Sequence, residues 1–411
     1  MKKLTISLIL LFATAVSTLQ LVYSQSGTNN SGSYSQDLLN TKRVFSQGLA
    51  DAIGQPFRGV ATSAGVMDGL FPIRSTGVST AAIKSAADTF LDTLSDGELS
   101  RTHYAIDDPE WRNWSNADVG IFSRHGVSLE EMSELQKAAA WSLLEASLSP
   151  EGMDQTRSVM RTEQALLEIN KEPLRYGVEK YYFTIMGIPS NDEPWGWQLD
   201  GHHLVLNFFV LGDQVVMTPA FWGGEPVLTE TGMYAGNVIM QDEQNVGLEF
   251  MQSLNNSQQT SATINPDKTR NNQLAAANAD NITLDYEGLK GDALNSSQKL
   301  GLLNLIRVYI GNLREPHADV TMDEIGQHID DTYFTWIGNA EDDSVFYYRI
   351  QSPVILIEFD HQNPVGTTAI NPPGTPTRDH IHTVVRTPNG NDYGKDLLAQ
   401  HLQAHPHLVS Q

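Results

Sequence analysis

Cysteine is absent from this 411-residue chain, which at once removes disulfides, thiolate zinc sites, iron–sulfur clusters and Cys nucleophiles. Any metal must be held by His, Asp or Glu. Basic residues are scarce: 26 Lys and Arg stand against 49 Asp and Glu, a net charge of −23. Such a balance repels phosphate backbones and anionic lipid, so nucleic acid is not an expected partner. H-E-x-x-H, G-x-S-x-G, P-loop and dinucleotide fingerprints are missing too, and with them the most readily legible enzyme classes. What remains is 40% apolar and 8% aromatic, enough for a packed core and too much for intrinsic disorder.

The chain has one long apolar run, Leu4 to about Leu19, preceded by Lys2 and Lys3 and followed by the small-residue pattern Val22-Tyr23-Ser24. Polar residues such as Thr5, Ser7 and Thr14 leave it short of a ~20-residue span. Residues 1–24 therefore read as a cleaved signal peptide rather than a stable membrane anchor, and the expected location is periplasmic or extracellular. Residues 25–35 are Ser, Gly and Asn rich and read as a flexible leader; 36–411 read as one domain.

Helical spacing of apolar residues predicts helices at Ser79–Leu94, Ser128–Leu148 (with Ser128 and Glu131 as a capping box) and Pro150 to about Ile169. β-rich segments follow at Tyr181–Met186 and Leu204–Leu211, the latter turning through Gly212-Asp213. Helices return at Asp242–Leu254 and Ser296–Asn312, with the Asn/Ala-rich segment Asn271 to Asn281 read as a surface excursion. Tyr333–Ile337, Val345–Ile350 and Val354–Asp360 are spaced as a meander, His380–Arg386 is a further strand, and Asp396–His405 a closing helix. Helices in runs and strands in runs imply an α+β fold with a mainly antiparallel sheet and a helical N-terminal region.

Seven of the twelve histidines fall in three groups: His202-His203, His380-Ile381-His382, and His401, His405 and His407. On a strand, His380 and His382 point to one face with Arg386 further along it, a chelating arrangement. Taken as strand neighbours, His202 and His203 point to opposite faces, so at most one joins a given site. His401 and His405 share a helix face. Glu358 and Asp360 share a face of the strand before His380, and a return through residues 361–379 would bring them beside the pair. Imidazole and carboxylate ligands suit zinc, copper or iron, and three protein ligands with an open position suit catalysis. The competing reading is that these rings are hydrogen-bonded core groups. Trp195, Trp197 and Trp222 flank the His202 region as a candidate substrate wall, with packing as the alternative. Arg386 is a further candidate for that pocket, although pairing with Asp392 to fix the last helix is the more economical reading, and Tyr393 could donate a proton.

Three stretches, Trp195 through His203, Thr218-Pro219-Ala220-Phe221-Trp222-Gly223, and His380 through Asp392-Tyr393-Gly394 to His401, resemble a bacterial domain-of-unknown-function family numbered 3500. The resemblance runs from about Phe90 to His405 and includes Arg112, Trp114, Arg124 and Tyr347-Tyr348-Arg349-Ile350. Val385 stands where the family often shows Trp, and the Asn/Ala-rich segment looks like an insertion that leaves the proposed ligands untouched. The resemblance implies an exported or envelope setting and a composite His-rich centre, with no established reaction.

The expectation is an exported metalloprotein whose ligands come from His202 or His203, His380, His382 and Glu358, with His401 nearby. Its partner would be a small-molecule substrate or ligand. Hydrolysis is the most economical chemistry, with oxidation at copper or iron open and Glu358 and Tyr393 as catalytic groups. A binding protein without turnover is the second class.

Overall fold

The computed structural model describes residues 34–405. The signal-peptide reading, most of the leader and His407 lie outside the described residues. Among those described, no helix is long and apolar enough to cross a membrane.

Helices dominate the first part: α1 (Gln36–Ile53), α2 (Ala81–Asp92), α3 (Asp96–Thr102), α4 (Glu134–Ser147) and α5 (Pro150–Asn170). The short strands β1 (His103–Tyr104) and β2 (Val127–Ser128) interrupt them. The α5 start is as expected: the Ser149 hydroxyl accepts from the Gly152 amide, and Pro150 sits where its missing N–H costs nothing. The start of α4 is not. Ser128 and Glu131 do bond, but they fasten a turn after β2. The helix begins one turn later, at a second box in which Ser133 and Gln136 satisfy each other's backbone N–H groups. Two such boxes in one apolar-periodic segment compete, and β2 pairing with a neighbouring strand decides between them.

The central strands are β3 (Tyr181–Met186), β4 (Trp195–Gly201), β5 (Leu204–Leu211), β6 (Gln214–Val216) and β7 (Ala220–Gly224). After α6 (Gln241–Ser253), α7 (Asn256–Ala262), β8 (Thr263–Asn265) and β9 (Leu289–Lys290) come α8 (Ser296–Ile310) and α9 (Glu315–Gly326). The chain closes with β10 (Tyr333–Gly338), β11 (Phe346–Gln351), β12 (Leu356–His361), β13 (Ile381–Arg386) and α10 (Lys395–Ala404). Among the described residues the thirteen strands form one sheet, whose main path runs β1-β3-β4-β5-β7-β13-β12-β11-β10-β8. The sheet is mixed and mostly antiparallel, parallel only at β1–β3 and β8–β10, so the fold is α+β.

Strand alternation sorts the buried residues to two faces. On one face Trp197, Leu206, Trp222 and Val385 pack under helices α4 to α6 and α8 as the larger core. On the other, Val205, Phe209, Phe221 and Val384 meet Trp111, Trp114, Tyr393 and α10. The Asn/Ala-rich segment covers this second face instead of looping out: Ala275 is fully buried, and the amides of Asn272 and Gln273 donate to Asp360.

Candidate metal centre

Four chain segments meet at one end of the central strands. β4 and β5 are joined by His202-His203, β7 ends at Gly224 beside the start of β13, and α5 brings Glu163 against the His202-His203 turn. The two histidines are the turn of a hairpin in which Gly201 faces Leu204, with His203 in the left-handed region at φ 60°. Strand alternation therefore does not apply to them, and their rings stack at 3.8 Å on the same side. The expectation that only one could join a site is corrected: both reach Glu163, at 2.7 Å from His202 Nδ1 and 3.7 Å from His203 Nδ1.

His380 and His382 do share a side, as strand periodicity requires, and their Nε2 atoms are 3.0 Å apart. Neighbouring ligands on bonds of ~2.0–2.1 Å have donors roughly 3 Å apart, so this spacing fits a common ion. His380 Nδ1 lies 2.7 Å from the Asn363 carbonyl and 3.4 Å from Glu225. Both neighbours accept, so the proton is on Nδ1 and the Nε2 lone pair faces His382, the arrangement by which an outer partner fixes a ligating imidazole. Glu225 is itself held by the amides of Val365, Gly366 and Thr367. A Cβ on Gly223 would stand 2.6 Å from the Ile381 carbonyl and 3.1 Å from His382 Cδ2, so that strand position leaves room for the ring only as glycine.

Donor atoms of His203, His380 and His382 all lie within 4.8 Å of one another, and so do those of Glu163, His202 and His203. Either group could hold a metal ion. Burial pulls His202 and His203 down to about 3 and His382 well below the usual imidazole value, keeping them neutral, the form that binds a cation. Burial also pushes the Glu163 carboxyl up to about 7, against the pull of His203 beside it. Glu163 Oε1, His202 Nδ1 and His203 Nδ1 are buried without a hydrogen-bond partner among the described residues. Groups so placed normally find partners.

The other expected site residues go elsewhere. Glu358 lies on the same sheet face as His382 but pairs with Val384. Its carboxylate accepts from the Leu274 and Ala275 amides and the Tyr347 hydroxyl, so the Asn/Ala-rich segment does touch a residue proposed as ligand. Tyr393, also proposed as catalytic, is fully buried, donates to Asp280 and accepts from Trp114 Nε1; burial holds its pKa well above the ordinary value. Arg386 is no pocket residue: it binds Asp280, Asp392 and the carbonyls of Ala275 and Ala276, as its pairing with Asp392 suggested. His401, on α10, faces Glu193 at 3.0 Å and lies tilted against His405 rather than joining either triad. Trp195 and Trp197 are fully buried in the larger core. Trp222 is buried too and lines a cavity of about 70 Å³ on the opposite sheet face from His382. The aromatic wall is packing because alternate strand positions send these indoles away from the histidines.

Glu163 and Glu225 were missed. Glu163 lies within an amphipathic helix and Glu225 after a strand that was not anticipated, and neither has a histidine neighbour in sequence. The one available signal was Glu163's position among apolar neighbours of α5, where a carboxylate is costly without a partner.

Fold and site together define an α+β protein with buried His and Glu groups able to hold a metal ion. The chain belongs to the family described as "Protein of unknown function (DUF3500)", whose model matches residues 76–395. No curated protein and no solved structure matches it.

Proposed function

We propose that this is an exported metal-dependent hydrolase acting on a small molecule, with His203, His380 and His382 as ligands. The observation that carries the reading is the convergence of three imidazoles from a hairpin turn and a strand within 4.8 Å, one of them oriented by a backbone carbonyl. Three neutral ligands leave an exchangeable position, where a divalent ion lowers the pKa of coordinated water towards ~7. His382 is the least enclosed of the three ligands.

The test uses untagged full-length protein exported by a bacterial host, stripped of metal and titrated with zinc, copper(II) and iron(II). Tight uptake of one of these, lost by at least ~100-fold in affinity in His382→Ala, supports the metal reading, since losing even an outer partner costs ~10–100-fold. Wild-type protein that takes up none of the three overturns it. Turnover in ester, phosphoester and peptide screens that stops on chelation supports hydrolysis.

Binding without turnover is the second reading. It is favoured by the depth of the site, where His203 and His380 are each only 3% exposed. Tight metal retention with no turnover would select it.

A further inference from the structure

Two triads, not one, stand at this end of the sheet, and they have a single member in common. His203 belongs both to the group with His380 and His382 and to the group with Glu163 and His202. The five side chains do not merge into one set with all donors within 4.8 Å, so no single ion with ~2 Å bonds reaches them all. An imidazole offers a nitrogen at each end of its ring, which lets one histidine serve two centres.

The second triad has its own signs of incompleteness. Glu163 Oε1, His202 Nδ1 and His203 Nδ1 are buried, yet none is hydrogen-bonded among the described residues, although His202 Nδ1 is only 2.7 Å from Glu163 Oε1. Three buried ligand atoms this close, none aligned to hydrogen-bond its neighbour, form a set that one cation would satisfy together. Their atoms are also closed to a water-sized probe, whereas a bare divalent cation is smaller and needs only the gap between them. A carboxylate with two imidazoles is moreover a singly charged N,N,O ligand set of the kind found in catalytic zinc and iron sites. Around His202 the electrostatics are mixed: Asp118 and Glu163 favour a cation there, while Arg124, Arg175 and His380 oppose it. Arg124 is offset by Asp200 at 3.1 Å and Arg175 by Asp118 at 2.9 Å, so Glu163 is the carboxylate left to face the ion.

We infer that the protein holds two metal ions, the first on His203, His380 and His382 and the second on Glu163, His202 and His203, with the His203 ring between them. If both ring nitrogens carry metal the ring has lost its N–H proton, which is released to solvent as the second ion binds. The inference rests on the metal reading of the first triad and adds a second position to it.

Cobalt(II) titration of the stripped full-length protein in 0.15 M salt, where weak binding to the acidic surface is screened, separates the two. Two tight equivalents per chain are expected. Glu163→Gln should abolish the second and leave the first, with its visible spectrum unchanged, while His382→Ala should abolish the first and leave a site that still depends on Glu163. One equivalent lost in His382→Ala and untouched by Glu163→Gln would overturn the second position while sparing the first. No tight equivalent would overturn both. Should Glu163→Gln fold poorly, His202→Asn provides the same comparison.

Discussion

Two buried polar clusters flank the same sheet, and they are finished in opposite ways. Around Arg386, every donor has an acceptor: Nε and Nη2 reach the carbonyls of Ala275 and Ala276, Nη1 reaches Asp280 and Asp392, and Tyr393, Trp114 and Arg112 close the ring about Asp280 and Tyr393. Around Glu163, three buried donor atoms face one another without bonds. The first cluster is complete with protein atoms alone; the second is the one to which we assign an added ion. His361 shows that the contrast is not one of residue type. It too is fully buried, yet its Nδ1 accepts from the Phe346 amide and its Nε2 donates to Gln244. Incompleteness therefore separates His202 and His203 from His361 where burial does not.

The comparison breaks most readily at Arg386. Arg386→Met should leave Asp392 without its cation in the core and cost about 3–5 kcal/mol in urea unfolding at neutral pH, while metal bound per folded chain stays at the wild-type level. Equal stability would mean that the network is not a closed unit; lost metal would mean that the clusters are coupled. If the variant does not fold, Asp392→Asn gives a milder version of the same measurement.

A smaller effect distinguishes the clusters by pH. In the metal-free protein His202 is held down to about 3 from its ordinary 6.5. The unfolded chain therefore binds the extra proton in that window, and the contribution of this group to stability is lost as pH falls below 6.5. His202→Asn removes it, so with chelator present the variant should gain about 2 kcal/mol on its His202 parent between pH 7 and pH 5. Glu163, whose carboxyl is raised, contributes in the opposite direction and touches His202, so the comparison is made in a Glu163→Gln background. A pH-independent difference would show that His202 protonates in the native state as readily as in the unfolded one.

The smallest change tests the reassignment of Glu358. Glu358→Gln puts an amide N–H₂ against the Leu274 and Ala275 amides or withdraws an acceptor from Tyr347, at about 1–3 kcal/mol. Metal stoichiometry should not move. If it falls, the ligand role expected from strand periodicity would be restored.

What could be read without coordinates was whatever local sequence pattern controls. Tyr181–Met186 and Leu204–Leu211 have the expected strand boundaries, because a short, β-branched and aromatic apolar run bounded by turn residues reads as a strand buried on both faces. Strand alternation put His380 and His382 on one side. It failed at His202-His203, where a two-residue turn with His203 at positive φ replaces alternation and puts both rings against Glu163. It was insufficient at Glu358: face and neighbouring strand were legible, but not the segment 84 residues earlier whose amides occupy the carboxylate.

Helix α9, strand β7 and the part of Glu163 depended on contacts distant in sequence. The α9 segment has weak periodicity and packs along α8; β7 is a short run of two aromatics and two glycines that becomes a strand by lying between β5 and β13. The sequence by itself determined the absence of thiolate chemistry, the span of two central strands and the chelating geometry of His380 and His382, since composition and backbone period do not depend on where the chain folds back. Only the tertiary structure decided which carboxylate meets the histidines, because whether a buried carboxylate is left with unsatisfied oxygens depends on which backbone amides and side chains arrive from elsewhere in the chain.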